Sequence, residues 1–589
     1  MANFVAIVDE DAERRRRFVR KIRPALALVD GLGLDEIEAG DFAVVWAAEP
    51  RAPLSQMRSA SAAAIVWGDA IPANGAHRIT AQVLFDSWKP AGATCPPAFD
   101  GFYAALRFDA RDGVTVGADL LGFFPIYYAL HDGVLLVGTS ARLFRDHPKF
   151  PPRLSPAGLI GLLLTHAPLG GRALLDGVRR LAPGHALAWR RGTDAREVRQ
   201  YTIPSPQRSG DRTSQSAAEE LDAVLDRTVE RHLLGDHTPG LLLSGGRDSR
   251  LVAGYVRRHR DCAHALTLGK QADYEMKCAT AVARTLRLTH ATVDVKEAQF
   301  PAFAELQAHW EQLGTGFASV HMWGAVEAMR ELPPRFFGGY HLEIRGSESM
   351  PSAFDELFAG SKNRGFQAAT LRRLLRHDAS SELISSLERE RRAIYETSSV
   401  IAEDRPAHFF IAHDWRAHAG GVPWKLSFGS WPILPILDRG VLDTIFTLPA
   451  SALANRGAQD AILRRRFPHL ARLPLDRNAH DTLPLLPSAR QRIVHALGRF
   501  AAPLTRRFPR NLERRYYHRV YDINGPGWRA IRRLAEPHRE QLSTLFNMDA
   551  LAEVVPPPDA RIAVRSTIAD SFAPKLLIGL MIWSADYPS

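Results

Sequence analysis

The 589-residue chain is too long for one ordinary core, and its 46% hydrophobic and 24% charged residues sit near the averages of folded proteins, which excludes a largely disordered chain. A formal charge of +11, densest at Arg14, Arg15, Arg16, Arg17, Arg20 and Lys21, favours an anionic partner. Nucleic acid, ATP, an acidic peptide and a merely arginine-rich surface all satisfy it. Cys95, Cys262 and Cys278 are widely spaced, with no CxxC pair or histidine cluster, which argues against zinc and fits a reducing cytoplasm.

The first ten residues reach Asp9 and Glu10 too soon for a signal peptide, so a cytoplasmic protein is expected. From there to about residue 205, short aromatic and β-branched runs predict a sheet-rich domain: Phe42 to Trp46, Ala63 to Trp67, Tyr103 to Phe108, Val114 to Ala118, Ile126 to Ala129 and Val134 to Gly138. Asp112-Gly113 and Asp132-Gly133 read as hairpin turns. The polar, proline-bearing stretch Pro204 to Arg212 reads as a linker.

Ser216 and Glu219 have capping-box spacing, and Leu221, Val224, Leu225, Val229 and Leu233 share one helical face behind them. Alternation follows: strand Leu241 to Leu243, helix from Arg250, strand Ala263 to Leu268, helix Glu275 to Leu286, strand Ala291 to Val295. That order predicts βαβαβ and a parallel sheet. Past about residue 300 the chain is expected to be largely helical. Leu576 to Trp583 is well short of the roughly 20 residues that span a membrane and reads as a buried terminal segment.

Chemistry concentrates at Ser244-Gly245-Gly246-Arg247-Asp248-Ser249, between the first of these strands and its helix. Two glycines let backbone N–H groups approach an anion, the helix start adds partial positive charge, and both hydroxyls can donate to phosphate oxygens. Asp248 would repel that phosphate unless a cation stood between them, so Mg²⁺ is implied. No Gly-Lys-Ser/Thr follows, which disfavours a Walker-type loop.

Ser-Gly-Gly-x-Asp-Ser resembles the pyrophosphate loop of the asparagine-synthetase-like family, which cleaves ATP between its α- and β-phosphates. The segment Leu266-Thr267-Leu268-Gly269-Lys270, followed by Asp273 and Glu275, is similar to that family's adenine-holding strand and acidic helix start; ordinary helix-start charge explains the two acids equally well. Asp100 to Ala104, Asp119 to Gly122, Pro125 to Tyr128 and Gly138 to Phe144 are similar to the family's glutamine-amidotransferase domain. That domain requires a cysteine after the initiator methionine, where Ala2 stands here, and without the thiolate no acyl-enzyme forms.

The resemblance, spanning about residues 95–480, implies a two-domain α+β and α/β chain. Residues 1–205 would be a degenerate class II amidotransferase-like domain. Residues 206–589 would be an ATP-pyrophosphatase (synthetase) domain of the adenine-nucleotide α-hydrolase-like (PP-loop) class, with a parallel sheet and a helical extension. The cofactors implied are ATP and Mg²⁺, held by Ser244, Gly245, Gly246, Asp248, Ser249, Leu266, Thr267, Leu268, Gly269, Gly338 and Gly339. Relatives place a second metal-binding aspartate in the segment that here reads Phe336 to Gly346. Glu343 is the carboxylate available there, and Tyr340 or His341 is the candidate for proton transfer, against a reading of Gly338-Gly339 as a plain turn.

Arg416, Lys425 and Trp431 to Arg439 resemble the family's Arg-x-Pro-Phe-Leu-Asp region in altered form. Arg477, beside Asn478, stands where relatives carry a lysine, so Lys425 or Arg477 is the candidate charge-stabilising cation, and a structural arginine is equally compatible.

Lasso-peptide macrocyclases and β-lactam synthetases are the branches that keep the synthetase chemistry without the cysteine. The favoured expectation is the former: adenylation of an Asp or Glu side chain and attack by the peptide's own N-terminal amine. The alternatives are another amide ligase, β-lactam-forming or asparagine-forming without a glutaminase, and a non-catalytic ATP- or precursor-binding protein. A precursor peptide, a leader peptidase and a leader-binding protein are the expected partners, with no nucleic acid and no membrane span.

Overall fold

The computed structural model describes residues 2–587 apart from 89–94, 206–213, 236–237, 344, 346–349, 360–362, 377–378, 477–481, 506–514 and 566–567. Before residue 200 the chain folds as strands β1 (Ala2–Val8), β2 (Gly33–Ala39), β3 (Phe42–Ala48), β4 (Leu54–Arg58), β5 (Ala62–Gly68), β6 (Tyr103–Asp109), β7 (Gly113–Ala118), β8 (Tyr127–His131), β9 (Val134–Gly138), β10 (Arg179–Arg180), β11 (His185–Trp189) and β12 (Arg196–Arg199). They form two antiparallel sheets, ordered β10-β8-β9-β1-β3-β2 and β12-β11-β7-β6-β5-β4. Between them lies an apolar core in which Phe4 stacks on Trp67 and Phe42 on Phe108.

The Asp132-Gly133 turn is as expected: His131 pairs with Val134, and both turn residues have positive φ, as a two-residue hairpin demands. The other turn is longer. Asp109 pairs with Gly113, leaving a three-residue loop that ends on Gly113 at φ +86°. β1 was missed because its run opens on Ala2 and Asn3 and alternates too little to be told from a buried helix.

The second region opens on the helix Ser214–His232, so Ser216 lies inside it rather than capping it. Next come β13 (Gly240–Leu242), the helix Arg247–His259, β14 (His264–Leu268), the helix Tyr274–Thr285 and β15 (Thr289–Val293), the expected alternation with shifted ends. Two further strands, β16 (Arg335–Phe337) and β17 (Trp431–Ile433), complete a parallel sheet ordered β15-β14-β13-β16-β17. Both have three residues, too few to show a period of two, so the late region read only as helical. The order reverses between β13 and β16, and in open α/β sheets ligands bind at the carboxyl ends of the strands flanking such a reversal.

The two regions are tied together through the segments that carry the amidotransferase resemblance. Trp431 of β17 is buried against Phe102, its indole N–H donating 2.9 Å to the Phe102 carbonyl. Gly68 lies under the same ring at φ +97°, where a Cβ would overlap the indole. Asp100 accepts from the Arg439 amide at 3.0 Å and pairs with Arg231 at 2.6 Å. Arg416, fully enclosed, donates to the carbonyls of Gly122 and Leu181. The apolar terminal stretch forms the helix Phe572–Ser584, buried along its length from Lys575 onward. Among the described residues no helix is long and apolar enough to cross a membrane.

Gly68→Ala adds a Cβ both at a left-handed φ and inside the Trp431 ring. It is expected to destabilise the chain by about 3 kcal/mol, read as a lowered urea midpoint, because conformational strain and overpacking add.

Candidate functional site

β13 and β16 flank the sheet reversal, and the two segments leaving their carboxyl ends meet there. After Leu242 the chain turns through Ser244, Gly245 and Gly246 into the helix Arg247–His259, with Gly246 at its N-cap and no side chain capping it. The first N–H groups of this helix therefore have neither intrahelical partners nor a capping oxygen, and they open onto the turn. Ser249 is buried and ties the turn together: its hydroxyl accepts the Ser244 amide at 3.0 Å and lies 2.8 Å from the Ser244 hydroxyl, which faces solvent. Gly245 is required by close approach, because a Cβ there would stand 2.9–3.0 Å from Asp476, Cys278 and Glu275. Around Gly246 the nearest atom is the Ser244 hydroxyl at 3.4 Å, so a cradle remains open.

The segment after β16 lies across the start of that helix. A Cβ on Gly339 would come within 2.6 Å of the Ser249 amide and 2.7 Å of the Asp248 carbonyl carbon, so only glycine permits the crossing. The crossing is anchored at both ends: the Gly338 amide donates to Ile433, Gln459 holds the Leu342 carbonyl at 2.9 Å, and Arg345 grips three carbonyls near residue 446 together with Asp404.

This places Glu343 beside Asp248. Burial first, and then the facing Glu343 carboxylate, push the Asp248 carboxyl up to about 7, against the pull of Arg456 and Arg247. Its Oδ1 is buried without a hydrogen-bond partner, while Oδ2 lies 3.9 Å from Arg456. An orphaned carboxylate oxygen next to a second carboxylate is the donor set of a hard divalent cation, and Asp248 with Glu343 fits Mg²⁺. Arg456 was not foreseen. It follows Asn455, and both have positive φ, a strained pair that aims a cation at the loop. Arg247, at the start of the helix, turns away to Asp460 at 2.5 Å.

Leu266 and Thr267 are buried in β14, next to β13. The Thr267 hydroxyl donates 2.8 Å to the Leu243 carbonyl and thus fixes the strand pair. Gly269 turns the chain at φ +130° beside Asp273, which accepts from the Lys270 amide and is paired with Arg519 at 2.9 and 3.1 Å. Asp273 is thereby occupied. Glu275 is different: it is 4% exposed, neither carboxylate oxygen has a partner, and burial raises its pKa.

Tyr340 is half-buried and His341 buried. His341 has φ +64°, stacks on Trp415 with centroids 6.0 Å apart, and leaves Nε2 unpartnered; burial lowers its pKa. Lys425 is wholly enclosed in an ion pair with Glu311 at 2.9 Å, with Ser319 as its second partner. Arg477 lies outside the described residues. Nearby, Arg515 pairs with Asp476 at 2.6 Å, and Tyr516 lies beside Gly269, so residues far along the chain wall the site.

A parallel sheet with an open glycine turn at its reversal is an arrangement in which α/β proteins bind nucleotides. Comparison with known proteins specifies it: residues 220–409 match the asparagine synthase family, and residues 77–202 the glutamine amidotransferase domain. The chain is therefore similar to an asparagine synthase domain over one segment and, before it, to a glutamine amidotransferase domain over another. It is also 31% identical over 132 residues to proteins of Mycobacterium bovis and Mycobacterium tuberculosis, provisionally described as glutamine-hydrolysing asparagine synthetases. Each match covers 21% of this chain and 20% of the relative, so the chain aligns with about a fifth of the relatives' length.

Asp248 has a folded-state pKa, about 7, above its unfolded value near 3.8. The stability this group contributes is fully present below about pH 4 and lost as pH rises to about 7. Asp248→Asn removes that loss, so in EDTA the variant should match the wild type in acid and exceed it by at least about 1 kcal/mol near pH 8. Denaturant midpoints across that range measure the difference.

Proposed function

We propose that this chain is an ATP-dependent amide ligase that activates a carboxylate by adenylation. The facing pair Asp248 and Glu343, set against an open anion cradle at the sheet reversal, carries the proposal. In the first step a substrate carboxylate oxygen attacks the α-phosphorus of ATP and pyrophosphate leaves. In the second an amine attacks the acyl carbon, AMP leaves, and the amine gives up one proton. Mg²⁺ held by Asp248 and Glu343 would neutralise the phosphate charge that these carboxylates otherwise repel. The N–H groups at the helix start and the Ser244 hydroxyl would bind the leaving pyrophosphate, and Arg456 stands ready to exchange Asp248 for phosphate oxygens.

The amine is proposed to come from the substrate itself. Ala2 lies on β1, and on the amidotransferase resemblance it takes the place of the nucleophilic cysteine. Of the three cysteines, Cys95 has its thiol pushed up by burial, Cys278 is buried behind Gly245 and pushed up to about 12, and Cys262 is exposed on a loop beside Thr238. The raised pKa of Cys95 and Cys278 is the opposite of what an activated thiolate needs. A peptide N-terminus suits the role: at a pKa near 7.7–8.0 roughly a tenth of it is neutral at pH 7, against under about a thousandth of a lysine. Ring closure within one substrate also makes the second step intramolecular. The finer reading is a lasso-peptide macrocyclase, joining an Asp or Glu side chain of a precursor to its N-terminal amine, with a leader peptidase as partner.

The full chain with ATP, Mg²⁺ and a candidate precursor peptide should release pyrophosphate and AMP and yield a peptide lighter by one water. Asp248→Ala should reduce this at least a hundredfold. Turnover of free aspartate alone would replace the macrocyclase by an amino-acid ligase. Pathway activity unaffected by Asp248→Ala would leave only a binding role.

A further inference from the structure

Asp476 and Arg515 form an ion pair at 2.6 Å, and the Asp476 amide donates 3.0 Å to the Gly245 carbonyl, which fixes the pair at the anion turn. The chain between them therefore leaves the site and returns to it at one point. Residues 477–514 contain eight arginines against two acids, Asp481 and Glu513, which supplies more than half of the formal charge of +11. The outgoing limb is fastened near the turn, where the Leu475 amide donates to Thr482 and the Leu486 amide to Ala471. Past Ser488 the chain forms the helix Ala489–Thr505, about 25 Å long at 1.5 Å per residue.

From Ser488 to Leu497 every side chain is exposed except the half-buried His495. Ile493, Val494 and Leu497 are 61%, 61% and 64% exposed and lie together, whereas the other exposed large aliphatic side chains among the described residues, Leu54, Val83, Leu234 and Val400, are scattered singly. Arg490 shares their face, at the i, i+3, i+4, i+7 spacing, so a cation stands beside the apolar surface. Among the described residues neither Arg490 nor Arg492 pairs with an acid; Arg492 donates 3.4 Å to the Pro487 carbonyl. Helices in proteins owe most of their stability to covering an amphipathic face, and this one leaves its own uncovered. A cation inside the apolar face disfavours a lipid surface, where the guanidinium would enter the acyl layer. It favours a partner that presents acids and apolar side chains together, since carboxylates pair with guanidinium groups bidentately.

We propose that Arg490, Arg492, Ile493, Val494 and Leu497 form a docking face for an acidic peptide segment of the substrate, rooted at the nucleotide site. The proposal deepens the amide-ligase reading and rests on it for the bound chain being substrate. An extended segment of about seven residues matches the helix in length at 3.4 Å per residue. Its acids would meet Arg490 and Arg492, and its apolar side chains would cover Ile493 and Leu497. Tyr517, two residues past Arg515, is 44% exposed within the field of Glu275, Glu343 and Asp476, so an exposed ring stands where such a chain would approach the carboxylate pair. Docking there would raise the local concentration of the substrate carboxylate at the turn.

The test is fluorescence anisotropy on the full chain without ATP, using a labelled, amidated twelve-residue peptide that repeats Glu-Gly-Leu-Ser. Counterparts repeating Gln-Gly-Leu-Ser and Glu-Gly-Ser-Ser remove the charge and the apolar side chain in turn. Wild type should bind the first peptide at least tenfold tighter than either counterpart, and added salt should weaken that preference. Arg490→Glu with Arg492→Glu should erase the preference for glutamate, and Ile493→Ser with Leu497→Ser should erase that for leucine. All four positions are exposed, so both variants should keep the wild-type urea midpoint; should one fail to fold, the other reads the same face. Equal binding of all three peptides, no binding of any, or a preference that survives both variants would overturn the docking face. So would binding of phosphatidylglycerol vesicles through these residues with no peptide bound. Pyrophosphate release by wild type is measured separately: peptide binding without release fails the ligase alone, and release without binding fails the docking face alone.

Discussion

Two carboxylates held together in a partly buried position repel each other, and this arrangement organises the region around the parallel sheet. Left free, Asp248 and Glu343 would separate into water, and Asp248 would ionise in the ordinary carboxylate range. The fold denies them that freedom. Asp248 belongs to a helix whose backbone is crossed at van der Waals distance by Gly339, and the crossing segment is tied down by Gln459 and Arg345. The sheet order makes the crossing possible, because β13 and β16 are neighbours from which the chain departs in opposite directions. Under the proposed function, charge that the protein holds at a cost would become affinity once a cation and phosphates bind.

The same logic explains why the region that matches the glutamine amidotransferase domain is closely built into the molecule. Its recurring segments are occupied by the interface. Asp100 caps and neutralises elements of the synthetase region, Gly122 gives its carbonyl to Arg416, and Gly68 and Phe102 seat Trp431. Trp431 lies on the edge strand next to β16, whose carboxyl end leads to Glu343. Removing the domain would expose that edge and the buried Arg416 together, so the first domain acts as a clamp on the strand that positions the second carboxylate.

What was legible in the sequence divides along physical lines. The anion turn, the βαβαβ run and the buried terminal helix were readable because each rests on local pattern: glycine spacing, alternation, or continuous apolarity. β16 and β17 were not, since three residues carry no period and their strand character comes from pairing across almost a hundred residues, β16 with β13 and β17 with β16. Glu343 was legible only as the nearest carboxylate in a segment lacking the aspartate of its relatives, and its pairing with Asp248 depends on tertiary structure. Arg456 gave no signal at all, because an arginine among arginines shows its role only when its backbone strain and its approach to Asp248 are seen. The Thr267 hydroxyl and Asp273 looked available for ligand in sequence, and are satisfied by the Leu243 carbonyl and by Arg519.

The matched families end at residue 409, yet the walls of the site continue to the end of the described chain. Arg515 holds Asp476 against the turn at Gly245, Arg519 holds Asp273 at the mouth of β14, and Tyr521 leads inward to Phe572 and Lys575. The turn at Ser244 to Ser249 and the pair Asp248 and Glu343 lie inside the segment that matches the asparagine synthase family, and part of the surface enclosing them comes from residues after it. The buried terminal helix, which read in sequence as a buried segment, joins that surface through Phe572 against Tyr521 and through Lys575, whose Nζ donates to the Tyr521 carbonyl.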